Sequence, residues 1–294
     1  AAAALSPPTP EIRVLRLERG GEQAFLVNNE SAGAAEVTAT FPALGAPEIW
    51  DPGTGAATPA GTWRPAPFPG SPGGGTAVPL RLEAKAALVI VFRAAPGAGP
   101  AHATDSNVPV EHLSVAGRTG TATVRVSSPL TVRVSARDGE RRYAGTLAVT
   151  DPLTAVPLDG DWSFRFDKDG AGTTERPLGS WTALDASYSG SAVYERRVTL
   201  DARTLSGRLW TLDLGEVREV AEITVNGVRL PARLWAPYRA DVTAVLRPGT
   251  NAVRVRVTNT GADAHGDAIP SGLLGPVLLR PERLARVRLS LSQD

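Results

Sequence analysis

Carboxylates are the groups best able to do chemistry in this chain of 294 residues. Hydrolysis of a glycosidic bond takes two of them on opposite sides of the bond, one in surroundings that raise its pKa. Here Asp51, Asp138, Asp159, Asp161 and Asp169 each stand next to or near Gly or Pro in turn-forming runs. A carboxylate there is solvated and serves the backbone, so the sequence predicts no catalytic pair. The three histidines, His102, His112 and His265, share no metal-binding spacing, and the lack of cysteine removes thiol nucleophiles and thiolate zinc sites. Asp263 and Asp267 can offer oxygens to calcium, but two carboxylates fall short of the roughly six to eight ligands that ion takes. Calcium is thus the one cofactor left open, and no other is expected.

Other catalytic signatures are missing. Ser189-Gly190-Ser191 and Ser271-Gly272 read as turns rather than as the nucleophile elbow of a serine hydrolase. Gly70 to Gly75 is interrupted by Pro72 and opens no helix, so it cannot cradle a phosphate. Binding has better candidates. A sugar ring is held by an exposed aromatic face with a few polar groups on its hydroxyls, and Trp235, Tyr238 and Arg239 lie together where a loop enters a strand. The alternative is that Trp235 packs beneath the neighbouring hairpin while Arg239 holds a carboxylate. Trp50, Trp162 and Trp210 alternate with core positions and are expected to be buried.

A formal charge of +1 gives no drive towards nucleic acid, which needs clustered cations. No apolar run approaches the roughly 20 residues of a membrane span; the longest, Ala84 to Phe92, contains Lys85. Lysine occurs only at Lys85 and Lys168 in a chain rich in Arg, Ala, Gly and Pro, which reads as the coding bias of a GC-rich bacterium. Ala1 to Pro10 lacks the basic and apolar regions of a signal peptide and reads as a linker end or cut point.

The elements that must position these residues are short runs of Val, Leu, Thr and Arg alternating with period two between Gly, Pro, Asn and Asp, the signature of strands. Strands are predicted near 12–17, 24–28, 35–41, 48–50, 78–82 and 87–93, then 122–126, 130–135 and 143–149, then 162–166, 192–200, 209–214, 221–225, 238–242, 252–258 and 287–291. Pro59 to Gly75 is expected to be a long surface loop, because prolines and glycines supply few donors and little to pack. Ala94 to Pro109 reads as a flexible connection. Val225-Asn226-Gly227-Val228 is the strongest hairpin signal, since Asn-Gly accepts the two positive φ values of a type I′ turn. In 251–258, Val253, Val255 and Val257 should face inward, with Arg254 and Arg256 towards water. The only helical candidate, Asp241 to Leu246, is at most a turn or two. The class is all-β, with two β-sandwich domains: 11–95, a small sandwich; 96–155, a linker plus strands of uncertain assignment; and 156–294, a jelly roll.

Leu212-Asp-Leu-Gly-Glu-Val-Arg-Glu-Val-Ala-Glu-Ile-Thr-Val-Asn-Gly227, Leu234-Trp-Ala-Pro-Tyr-Arg-Ala-Asp-Val-Thr243 and Leu246-Arg-Pro-Gly-Thr-Asn251 resemble the galactose-binding-like jelly roll of family 2 sugar-binding domains. With Trp162, Ser180-Trp181-Thr182, Ser189-Gly190, Tyr194 and Ser271-Gly-Leu-Leu-Gly-Pro-Val277, the order resembles the C-terminal part of family 106 α-L-rhamnosidase-like glycoside hydrolases. Phe25-Leu-Val-Asn-Asn29, Trp50-Asp-Pro-Gly-Thr-Gly55 and Val78-Pro-Leu-Arg-Leu82 are similar to the segment after the catalytic domain. The resemblance implies a carbohydrate ligand, a catalytic barrel as partner with no counterpart here, and an extracellular or periplasmic setting. In the loop from Thr258 to Asp267, Asn259, Gly266 and Asp267 match, while the family's Asn-Arg pair and aromatic are missing. The candidate carbohydrate contacts are Trp235, Tyr238, Arg239, Asn259, His265 and Asp267. An accessory of this kind should show an apolar patch when isolated from its barrel.

Overall fold

The computed structural model describes residues 1–19, 22–93, 100–168, 170–259 and 269–292. They are almost entirely β-strand in several antiparallel sheets; the only helices among them are the short Ala202–Leu205 and one 3-10 turn, Trp181–Ala183. The chain divides into two compact units, Ala1–Pro152 with Leu284–Asp294, and Leu153–Arg283.

In the first unit, two sheets face each other across a core. One is five-stranded, in the order Ile12–Arg19, Glu22–Asn29, Ala87–Phe92, Pro47–Trp50, Ala57–Pro59. The other is four-stranded, in the order Ala4–Ser6, Ala35–Phe41, Ser71–Leu82, Arg64–Phe68. Alternation sends Phe25, Val27, Ile90 and Phe92 from one sheet, and Val37, Phe41, Val78 and Leu80 from the other, into the same interior. Phe25 and Phe41 meet there at 4.8 Å between ring centroids, and Phe92 stands edge-on to Phe25 at 5.8 Å. Such pairs add about 0.5–1.5 kcal/mol each beyond burial. Asn29 closes the end of this core: wholly buried, its amide donates to the carbonyls of Gly33 at 2.8 Å and Glu83 at 2.9 Å, and its oxygen accepts from Ser31 N–H at 3.0 Å.

Pro59 to Gly75 is not the surface loop its composition suggests. Arg64–Phe68 pairs with the start of Ser71–Leu82, from Arg64 opposite Ala77 to Phe68 opposite Ser71, with a register shift between Ala66 and Phe68. Prolines are tolerated because Arg64–Phe68 is an edge strand that can spare donors. Gly75 has its own reason: a Cβ there would sit 2.2 Å from the Phe41 carbonyl oxygen, so only glycine lets the strands come this close. Ala94 to Pro109 is likewise not all connection. His102–Ser106 is a strand paired with Leu130–Asp138, while 94–99 lie outside the described residues. A further sheet of this unit runs His102–Ser106, Leu130–Asp138, Arg141–Val149, Leu278–Leu291, Thr119–Val126, Val110–Ala116. Its interior residues include Val124, Val126, Val132, Val134, Val287 and Leu289.

The second unit is built on a six-stranded sheet, Thr174–Arg176, Trp162–Phe166, Ser191–Leu200, Gly249–Thr258, Val220–Val225, Val228–Arg229. It faces a smaller array of Leu209–Asp213, Arg239–Asp241, Val156–Pro157 and the first residues of Leu278–Leu291. Their common core holds Trp162, Tyr194, Ile223, Val253, Val255 and Val257 from one side and Trp210, Leu212, Ala240 and Leu279 from the other. The inward valines of 253–257 are placed as alternation requires. Asn226 and Gly227 take φ of 51° and 83° between the paired Val225 and Val228, the backbone of a type I′ turn. Trp162 and Trp210 are buried as expected, but Trp50 is not: it lies on the outer face of the five-stranded sheet, 36% exposed. The sequence alternation at Glu48-Ile49-Trp50 sends Ile49 inward, which leaves the larger ring outside.

Candidate functional site

The crossover from the six-stranded sheet to the smaller one carries Trp235, Tyr238 and Arg239. After the Asn226-Gly227 turn, Arg233 exchanges backbone hydrogen bonds with Ala221 at 2.8 and 2.9 Å; the chain then crosses over, and Leu214 N–H donates to the Tyr238 carbonyl at 2.9 Å. Tying the segment at both ends leaves its middle outside, so Leu234 is 56% and Trp235 46% exposed. Trp235 therefore does not pack beneath the hairpin.

Tyr238 is oriented the other way. It is buried, and its hydroxyl donates to the Glu219 carbonyl. Burial, helped by the charge of Glu219, pushes its pKa up to about 12. Its phenol proton is thus used within the protein. Glu219 N–H in turn donates to Thr258 O at 2.9 Å, next to Asn259. The structure thus brings Tyr238 and Asn259 to the same end of the unit.

Asn259 works there as a tie. Its oxygen accepts from Gly190 N–H at 2.8 Å, and its amide donates to the Tyr188 carbonyl at 3.0 Å and to Ser271 Oγ at 3.2 Å. The 188–190 and 271 segments are thereby joined through one side chain. His265 and Asp267, with the calcium candidate at 263–267, lie outside the described residues.

Arg239 holds a carboxylate, as the alternative reading had it. Its Nε donates to Asp213 Oδ2 at 2.9 Å, and Arg280 Nε donates to the same oxygen at 2.8 Å. The side chain of Asp213 is only 9% exposed. Burial would raise its pKa, but the Gly215 N–H, at 3.1 Å from Oδ1, and the two guanidinium groups outweigh burial and hold it below the usual range. Sequence reading did not single out Asp213 or Arg280. The available signal was an Asp placed between Leu212 and Leu214, facing a pair of arginines on its neighbouring strands.

Several other carboxylates are ion-paired. On the outer face of the six-stranded sheet, Arg256 donates to Asp167 and to Glu222 at 2.7 Å each, Arg229 pairs with Glu222, and Arg254 reaches Glu195 at 3.4 Å. The hydrogen bonds from Arg256 hold Asp167 and Glu222 low; Ser187 does so for Asp185, and the Thr204 N–H for Asp201. Among the described residues every carboxyl with a displaced pKa is displaced downwards, whereas a general acid needs the reverse. An open groove of about 690 Å³ on this face is lined by Glu175, Glu195, Arg196, Arg197 and Arg254 and is apart from Trp235. Among the described residues no three His, Asp or Glu are grouped to hold a metal ion, and no helix is long and apolar enough to cross a membrane.

No family model matches the chain. It is 31% identical over 146 residues to a putative β-glucuronidase of Formosa agariphila, a match covering 42% of this chain and 13% of that protein. The rhamnosidase of Novosphingobium sp. PP1Y superposes over 96% of this chain and 25% of its own, with a TM-score of 0.61 and 25% identity. The chain therefore spans about an eighth of the one relative and a quarter of the other. In sequence and structure it is distantly similar to glycoside hydrolases of the rhamnosidase and β-glucuronidase kind.

Proposed function

We propose that the chain is a non-catalytic accessory and carbohydrate-binding region of a rhamnosidase-type glycoside hydrolase, comprising a small β-sandwich and a galactose-binding-like jelly roll. Superposition of nearly the whole chain on one quarter of a rhamnosidase carries this reading. The carboxylates of Asp167, Asp213 and Glu222 support it, because their arginine partners help hold them below the usual range, the reverse of what a general acid needs. The family 106 C-terminal region remains the more specific form of the proposal, with an exported location and a catalytic barrel supplied by further sequence.

Turnover of an aryl α-L-rhamnoside by the purified chain tests the non-catalytic part: none is expected, and turnover abolished by a carboxylate substitution sinks it. A second reading, a carbohydrate-binding module that acts by itself, is favoured by the exposed ring of Trp235. Calorimetric titration with plant and microbial oligosaccharides separates the two. Heat and saturation with the isolated chain favour the second; a silent titration leaves the accessory role.

A further inference from the structure

The two outer faces of the first sandwich differ in character. The four-stranded sheet turns Glu36, Thr38, Thr40 and Arg81 outward, the polar set expected of a face in water. The five-stranded sheet does not. Leu15 is opposite Leu26, Leu26 opposite Val89, Val89 opposite Trp50 and Trp50 opposite Ala57, an apolar row across all five strands. The adjacent row is Leu17, Ala24, Val91 and Glu48, in which Val91 is itself buried. Four strand spacings make the first row roughly 19 Å long. Leu15 is 56% and Leu17 50% exposed, and no described segment of the unit covers them.

The borders of this face are polar and paired. Arg13 meets Glu30 at 3.2 Å on one side, and Arg93 meets Glu48 at 3.3 Å on the other. Glu48 also accepts from Trp50 Nε1 at 2.9 Å, which satisfies the indole N–H and leaves its ring as apolar surface. An apolar centre with an aromatic anchor inside a neutral, ion-paired rim is the anatomy of a protein interface, and a solitary domain rarely leaves such a row uncovered. The neutral rim offers nothing to a charged partner. In the rhamnosidase that this chain superposes on, the matched part is joined to three times its own length of further polypeptide.

We infer that the outer face of the five-stranded sheet is the docking surface for another folded domain of the same polypeptide, which lays an apolar face on Leu15, Leu17, Leu26, Val89 and Trp50. This rests on the accessory role proposed above and names the surface that role uses. The test is hydroxyl-radical footprinting of the isolated chain and of the polypeptide encoded by the complete reading frame, with aryl-rhamnoside turnover measured on the latter. Leu15, Leu17 and Trp50 should be oxidised in the isolated chain and protected at least tenfold in the longer polypeptide. The double variant Leu15→Glu, Leu17→Glu should restore oxidation of Trp50 in the longer polypeptide while leaving the melting temperature of the isolated chain unchanged. Equal oxidation of Trp50 in both forms overturns the inference. So does protection already present in the isolated chain with a doubled sedimentation mass, since a second copy would then be the occupant. Turnover with Trp50 unprotected fails the docking surface alone; protection without turnover fails the glycosidase reading alone.

Discussion

His102 lies flat on Trp63, with ring centroids 3.6 Å apart and planes 11° from parallel. The stack joins two sheets of the first unit at the point where Thr62 bridges Ala103 and Trp63 N–H donates to the Ala103 carbonyl at 2.9 Å. The imidazole has Nδ1 2.9 Å from the Pro100 carbonyl oxygen, and Nε2 is buried with no hydrogen-bond partner among the described residues.

That arrangement favours neutral histidine. Burial lowers its pKa, and so does Arg137 on the paired strand; the groove alongside is lined by Arg64, Arg137 and Arg142 and by no carboxylate. With the folded pKa below the unfolded one, the unfolded chain takes up the proton first. Stability should therefore be full above about pH 6.5 and decline as pH falls towards the folded pKa. Thermal unfolding should give a lower melting temperature at pH 5 than at pH 7.5. His102→Phe, which keeps the stack, should lose most of that drop; an undiminished drop would assign it to other groups.

Asp213 anchors two guanidinium groups on one oxygen. Asp213→Asn keeps the shape but removes the negative charge that the Nε groups of Arg239 and Arg280 share, at an expected cost of about 1–3 kcal/mol at neutral pH. Because its carboxyl is held low, the wild-type contribution is present at neutral pH and lost as pH falls through the folded pKa. Denaturant unfolding of both proteins at pH 7 and pH 3 checks this: the gap should be narrower at the second than at the first.

Asn259→Ala removes at least three hydrogen bonds and strands the Gly190 donor. A loss of about 2–3 kcal/mol is expected, with faster amide exchange at Gly190 and in the strand that follows it. Asn259→Asp, which keeps the acceptor for Gly190 but cannot donate to Tyr188 and Ser271, should fall between.

Trp235→Ala should leave the melting temperature within about 1 °C, since an exposed ring contributes little to the core. Any oligosaccharide affinity of the chain should weaken at least tenfold. Affinity that is unchanged would move the binding surface elsewhere.

Much of the fold could be read from alternation and turn chemistry. Val253, Val255 and Val257 and the Asn226-Gly227 turn needed no further information, because period two and positive φ are local properties. Arg64–Phe68 was hidden because its prolines argue against any strand until its place at a sheet edge is known. His102–Ser106 was hidden because a run of His-Ala-Thr-Asp-Ser has only Ala103 fully buried and carries no apolar rhythm. For the site, alternation separates inward from outward but not outward from exposed. Asp213 points out of the core yet is covered by two arginines, while Trp50 points out and stays uncovered. Tyr238, placed with Trp235 and Arg239 where a loop enters a strand, turns its hydroxyl to a carbonyl 19 residues away, a direction that no local pattern reveals.

The strand Leu278–Leu291 begins beside Leu209–Asp213 in the second unit and ends between Arg141–Val149 and Thr119–Val126 in the first. Synthesis on the ribosome is vectorial, so the sheet of the first unit stays open along its middle until residues 284–291 have emerged. The unit that is translated first is thus the last to close, and cutting the chain between Pro152 and Leu153 would yield a first piece without its central strand and a second piece with a strand that has lost its neighbours.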